Sequence, residues 1–264
     1  MIPQSDIIEW SNTVAWRTNE QIEQDLVICR ALVQIFNDDY LAGHLAFRGG
    51  TALHKLYLQP QPRYSEDIDL VQMKAEPIGE VLDRLRTVLD FIGKAKVEVG
   101  DTMATMKFRF ESEIAPVVPL RLKIEINCRE HFAELGWEKK DFSVQSNWFE
   151  GSCSLTTYKL EELLGTKIRA LYQRRKGRDL YDLYQAFTKA KLDVEAMLHC
   201  YRRYMEFSVG NVPSQREFIQ NMELKLQDDY FVGDIVALIR PDEVYKHQTA
   251  YELVKKELFD KMWI

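Results

Sequence analysis

The sequence predicts an α+β protein, α/β-like in its N-terminal part and mainly helical in its C-terminal part, on three observations. LRLKIEINC, residues 120–128, alternates apolar and polar side chains as a strand with two faces does. EDIDLVQM, residues 66–73, alternates in the same way. From Leu160 onward the apolar residues recur at intervals of three and four, the period of a helix. The change of periodicity near residue 150 divides the chain into a domain 1–150 with a mixed sheet and a helical domain 151–264.

Taken in order, residues 3–37 read as helical, with Ile22, Leu26, Cys29, Val33 and Phe36 on one face. Asn37-Asp38-Asp39 ends that stretch. LAGHLAFRGG leads through a short strand or turn to Arg48 and a glycine pair. A helix over Thr51–Leu58 is stopped by Pro60 and Pro62. After the strand at 66–73, residues 76–93 place Ile78, Val81, Leu82, Leu85, Val88 and Leu89 on one helical stripe. Strands are expected near 95–100 and 103–111, then a loop marked by Pro116 and Pro119, then the strand 120–128. Residues 131–158, with Trp137, Trp148 and Phe149, read as an irregular or mixed connection. Helices are expected at 158–174, 178–190, 193–206, 214–226 and 243–261, the last carrying Tyr245, Leu253, Leu258 and Phe259, with Trp263 beyond it.

The totals exclude several classes. Hydrophobic residues make up 46% and charged residues 29%, as in ordinary globular chains. No apolar run is long enough to cross a membrane, and MIPQSDIIEW lacks the pattern of a secretory signal. A cytoplasmic location is expected. The four cysteines, Cys29, Cys128, Cys153 and Cys200, have no CxxC spacing, and the five histidines form no ligand pair, so zinc is unsupported. A net charge of −6 argues against indiscriminate binding to nucleic acid.

The chemistry lies in carboxylate spacing. Asp67 and Asp69 are two apart on a strand and project from one face. Held together they repel unless a cation lies between them, and magnesium takes such hard oxygen ligands. Glu125 sits between Lys123 and Asn127 on one face of the strand 120–128. Were the two strands neighbours, Glu125 would join the pair as a third metal ligand. Gly49-Gly50-Thr51 reads as a tight turn into a helix, where backbone N–H groups approach a phosphate and Thr51 offers a hydroxyl.

FRGGTALHKLY (47–57) with RYSEDIDL (63–70) resembles the first motif of the DNA polymerase beta-like nucleotidyltransferases. LKIEIN (122–127) is similar to that superfamily's third-carboxylate strand. LEELLGTKIRALYQRRKGRDLYDLY (160–184) resembles, within the superfamily, the AbiEii/AbiGii toxin family, which has a lysine helix followed by Arg-Asp-x-x-Asp-Leu. The resemblance implies a polymerase beta-type core followed by a helical domain that completes the active-site cleft. It implies that Asp67, Asp69 and Glu125 are catalytic and hold Mg²⁺ or Mn²⁺, that Gly49, Gly50, Thr51, Arg63 and Ser65 flank the nucleotide, and that Lys167 and Asp179 complete the site.

Bland readings stand beside these. Glu125 is either a metal ligand or a solvated strand residue. Lys167 meets either triphosphate or water at the surface. Asp179 holds Lys167, or a base or ribose group, or favours the start of its helix, and Asp182 reads as structural. From Lys159 to Lys191 nine Lys or Arg stand against four Asp or Glu. Arg169, Arg174, Arg175, Lys176 and Arg178 form either an RNA-contacting surface with Tyr172, Tyr181 and Tyr184 as stacking groups, or a solvated face over core tyrosines.

The function expected is transfer of a nucleoside monophosphate from an NTP to an RNA hydroxyl, tRNA by family analogy, by the toxin of a toxin–antitoxin or abortive phage-defence system. A cognate antitoxin would be its partner. The alternatives are a protein hydroxyl as acceptor, a nucleotide-binding protein without catalysis, and a transferase acting on a small molecule.

Overall fold

The N-terminal helical stretch is broken in two. In the computed structural model, which describes residues 2–262, a short helix α1 (Gln4–Trp10) precedes a long α2 (Asn19–Asn37). The side chain of Thr18 accepts a hydrogen bond from the amide of Gln21 and so starts α2 afresh. Trp263 lies outside the described residues.

The chain divides into two units, Met1–Leu56 with Arg63–Tyr158, and Tyr57–Pro62 with Lys159–Ile264. The first continues from α2 through α3 (Asp39–His44), β1 (Leu45–Arg48) and α4 (Gly49–Leu56) to β2 (Asp67–Gln72) and α5 (Gly79–Val88). It ends with β3 (Ala95–Val99), β4 (Met103–Glu111), β5 (Pro119–Asn127), β6 (Trp137–Gln145) and β7 (Glu150–Tyr158). These strands form one sheet in the order β3-β4-β5-β2-β1-β7-β6. It is mixed: β2 runs parallel to β5 and β1 to β7, while the other neighbours are antiparallel.

Two expectations are corrected here. Residues 131–158 are largely a regular hairpin, β6 paired with β7. Most of β6 is exposed or half-buried, so Glu138, Lys139, Lys140 and Asp141 follow one another without an apolar face to mark a strand. The sheet therefore runs to Tyr158, and the division of the chain falls there. Pro119 is also not loop but the first residue of β5, a place where a missing N–H is tolerated.

The register of β5 follows from burial. Leu120, Leu122, Ile124 and Ile126 are buried, and Arg121, Lys123, Glu125 and Asn127 face the other way. Each buried aliphatic side chain is worth roughly 1.5–3 kcal/mol, and a slip of one residue would exchange them for Lys123 and Glu125. Helix α2 packs on β5, β6 and β7. Inside the first unit Asp25 of α2 accepts hydrogen bonds from Lys55 Nζ of α4 (2.8 Å) and Trp10 Nε1 of α1 (3.1 Å), all three residues buried. That pair fixes α4 on α2, and with it the glycines at the start of α4.

The second unit holds α6 (Leu160–Gln173), α7 (Gly177–Lys189), α8 (Val194–Val209), α9 (Gln215–Leu226), a short α10 (Asp229–Gly233) that periodicity did not mark, and α11 (His247–Glu257). Its core includes Leu164, Ile168, Leu180, Tyr181, Leu183, Phe218 and Phe259. No described helix is long and apolar enough to cross a membrane.

Candidate active site

Three adjacent strands of the first unit set out a row of charges. Asp69 lies opposite Glu125 in the β2–β5 ladder and opposite Arg48 in the β1–β2 ladder, and Asp67 lies opposite Lys123. Partners directly across a ladder share a face. The expected neighbourhood of the Asp67/Asp69 strand and the Glu125 strand is therefore present. Lys123 Nζ reaches Asp67 Oδ2 at 3.0 Å and Glu125 Oε2 at 3.1 Å. Burial pushes the Asp67 carboxyl up to about 6 against the opposing pull of Lys123.

The glycine pair fits against this row. Gly49 opens α4 with φ of 76°, and a methyl group placed on it would fall 2.0 Å from Asp69 Oδ2. A methyl on Gly50 would fall 2.7 Å from Arg63 Nη2. The first position needs glycine both for close approach and for its left-handed backbone, while at the second the crowding comes from the tip of the Arg63 side chain. Arg63 is buried and donates from Nη1 to the Tyr64 carbonyl at 2.8 Å. Thr51 is buried as well. Its hydroxyl donates to the Asp67 carbonyl and lies 2.7 Å from the Ser65 hydroxyl. These contacts make Thr51 and Ser65 a clasp between α4 and the start of β2.

Three positioning contacts were not singled out in the sequence. Gln24 of α2, buried, donates to the carbonyls of Glu66 (2.9 Å) and Arg121 (3.0 Å), tying the entries of β2 and β5 together. Arg48 Nη1 donates to Glu130 Oε2 at 2.7 Å. Lys123 falls on the Glu125 face by alternation, and the sequence alone points to no role for it. Gln24, Arg48 and the Lys123–Asp67 contact had no local signal, because each depends on a partner distant in sequence.

In the second unit Lys167 is buried, with Nζ 3.1 Å from Asp179 and 2.9 Å from Asp182, both aspartates also buried. The surface-lysine reading of Lys167 does not hold. Arg174 adds two hydrogen bonds to Asp179, from Nε at 2.7 Å and Nη2 at 2.8 Å. Burial opposes the charge of Asp179, but Lys167 and Arg174 outweigh it and hold the carboxyl below the usual carboxylate range.

The basic run has acid partners: Arg175 with Asp228 (3.2 Å), and Lys176 (3.2 Å) and Arg178 (2.9 Å) with Asp234. Arg169 donates to the Ser208 hydroxyl and lies over the Tyr204 ring. Tyr181 is fully buried and its hydroxyl donates to the Pro62 carbonyl, while Tyr172 stacks on Phe218 and Tyr184 packs against Tyr245. All three rings have packing partners within their own unit.

The family profile of the nucleotidyltransferase AbiEii toxin, type IV toxin–antitoxin system, matches residues 30–253. The chain belongs to the AbiEii nucleotidyltransferase toxin family. Its matched segment includes the carboxylate row, the glycine turn and the Lys167 cluster. Membership brings an NTP as substrate and an antitoxin as partner. Two solved structures share the fold. A protein from H. pylori described as a nucleotidyltransferase is 19% identical, with TM-score 0.56, 93% of this chain and 97% of that one covered. The nucleotidyltransferase toxin MenT4 from Mycobacterium tuberculosis H37Rv is 15% identical, with TM-score 0.56, 99% of this chain and 98% of that one covered. Among curated proteins no match is found.

The AbiEii residues suit a divalent ion by donor chemistry: Asp67, Asp69 and Glu125 are hard oxygen donors on one face. Among the described residues no three His, Cys, Asp or Glu side chains are drawn together closely enough to hold a metal ion as they stand. The Lys123 ammonium lies within ion-pair distance of both Asp67 and Glu125.

Proposed function

We propose that this AbiEii-family chain transfers a nucleoside monophosphate from an NTP to an RNA hydroxyl, with tRNA as the acceptor class, in a magnesium- or manganese-dependent reaction. The observation that carries the reading is the ladder pairing of Asp69 with Glu125, beside Gly49 at the Asp69 carboxylate. Asp67, Asp69 and Glu125 would hold the ion, which when bound neutralises triphosphate oxygens and makes the attacking hydroxyl more acidic.

The chain's own residues position the reactants. The amides at the start of α4 face phosphate oxygens, aided by the positive end of the helix. Thr51, Ser65 and Gln24 hold the β2 entry so that both aspartates keep their direction. The acceptor oxygen attacks the α-phosphorus and the bond to the bridging oxygen of the β-phosphate breaks. Pyrophosphate leaves with that electron pair, and the hydroxyl proton passes to Glu125. Arg174 and Lys176 are themselves about half exposed but pair with the buried Asp179 and Asp234, while Arg175 is about three-quarters exposed and its pair with Asp228 is of the weak surface kind. A phosphate backbone can compete for such partners, which supports an RNA acceptor. As a toxin, the protein would act in the cytoplasm, in keeping with a role in phage defence.

The same ion pairs favour a second reading, a protein hydroxyl as acceptor, because they leave little uncompensated positive charge in a chain of net charge −6. Incubation with magnesium, each α-labelled ribonucleoside triphosphate and a cell extract separates the two. Ribonuclease-sensitive label in the tRNA size range supports RNA. Proteinase-sensitive label that survives ribonuclease supports the second reading. Triphosphate binding without label in either fraction supports neither.

A further inference from the structure

Lys123 stands where a metal ion would have to compete. Its ammonium touches one oxygen of Asp67 and one of Glu125, the two carboxylates that flank the row on neighbouring strands. The lysine backbone cannot retreat, because Leu122 and Ile124 beside it are fully buried. Its side chain can, being about a quarter exposed on a flexible four-carbon stem. A divalent ion taking the same oxygens therefore displaces the ammonium rather than sharing the site with it.

On the reading given under Proposed function, we propose that Lys123 is a resident counter-cation: it holds Asp67 and Glu125 together in the metal-free enzyme and is displaced on metal binding, so that the enzyme loads metal together with NTP and poorly without it. The triphosphate completes the exchange. It brings negative oxygens that give the displaced ammonium a new partner, so metal and NTP favour each other's binding. This makes Lys123 a positioning residue whose first effect is on metal affinity and not on the bond-making step.

The test is Mn²⁺ binding to the intact protein, followed by paramagnetic resonance of free Mn²⁺, with and without a non-hydrolysable NTP. Lys123→Met is expected to tighten Mn²⁺ binding without nucleotide by about tenfold, within the usual range for coupled ligands. It is also expected to shrink the extra tightening that nucleotide gives. Lys123→Gln should behave as Lys123→Met and serves in its place if the latter fails to fold, while Lys123→Arg, which keeps the charge, should not tighten binding. Unchanged or weaker Mn²⁺ binding in the neutral variants, with wild-type binding still lost on Asp69→Asn, overturns the role of Lys123 alone. Absence of Asp69-dependent Mn²⁺ binding in wild type and in the neutral variants overturns the metal reading and this inference with it.

Discussion

Gly49 and Asp69 are in such close contact that any side chain at position 49 would have to displace the carboxylate: a methyl there would sit 2.0 Å from Oδ2. The backbone adds to this, since a left-handed φ of 76° costs an ordinary residue about 1–2 kcal/mol. Gly49→Ala is therefore expected to lower the melting temperature and to cut nucleotide transfer by at least about tenfold, the order of loss for a misplaced reacting group. Thermal unfolding and initial transfer rates check both. A variant with wild-type stability and rate would show that Asp69 is not held by this turn.

Gln24 offers a milder disturbance of the same strands. Gln24→Ala removes its two part-buried hydrogen bonds to the Glu66 and Arg121 carbonyls, at about 0.5–1.5 kcal/mol each. Denaturant unfolding should register that loss. The maximal transfer rate should fall as well, because the entries of β2 and β5 are no longer tied. Loss of stability with no change of rate would make Gln24 purely structural.

The Lys167 cluster predicts a larger effect. Lys167→Met leaves Asp179 and Asp182 buried without their shared cation. Breaking a buried pair from one side costs about 3–5 kcal/mol. Adding Asp182→Asn should recover part of it, since Asp179 keeps its two hydrogen bonds from Arg174 while the buried charge of Asp182, which has lost the Lys167 ion pair, is then removed. Chemical denaturation of the single and double variants measures the coupling.

Asp234 supplies a pH dependence. Burial would raise its carboxyl, but Arg178 first and then Lys176 hold it down to about 2. A carboxyl lowered in the fold contributes stability that is fully present above its unfolded value of 3.8 and is lost as pH falls from there towards about 2. The contribution is on the order of 2 kcal/mol. Arg178→Ala should lower stability at neutral pH and flatten the acid limb of the stability curve in that window.

Much of the site was legible because it obeys the two-residue period of strands. Asp67 and Asp69 share a face by spacing alone, and Glu125 sits in an alternation whose apolar half is buried throughout. Lys123 was legible as a neighbour of Glu125 but not as the partner of Asp67, because pairing across strands is set by register. The β6–β7 hairpin was hidden by exposure: a strand with little buried surface needs no apolar alternation. The basic run from Arg174 to Arg178 gave no sign of Asp228 and Asp234, which meet it only through the packing of α7, α9 and α10. The pairing of Lys167 with Asp179 was one of the readings the sequence offered and is present, whereas the second pairing, with Asp182, had no sign in it.

The most direct test of the account is the rate of nucleoside monophosphate transfer by Asp69→Asn, a nearly isosteric change that keeps the contact with Gly49 and removes the charge. With magnesium and the preferred triphosphate, the account predicts a fall of roughly a hundredfold or more, the order of loss when charge stabilisation of the transition state is removed, with the fold intact by circular dichroism. Transfer at the wild-type rate by the folded variant would contradict it and would place the chemistry away from the carboxylate row of Asp67, Asp69 and Glu125.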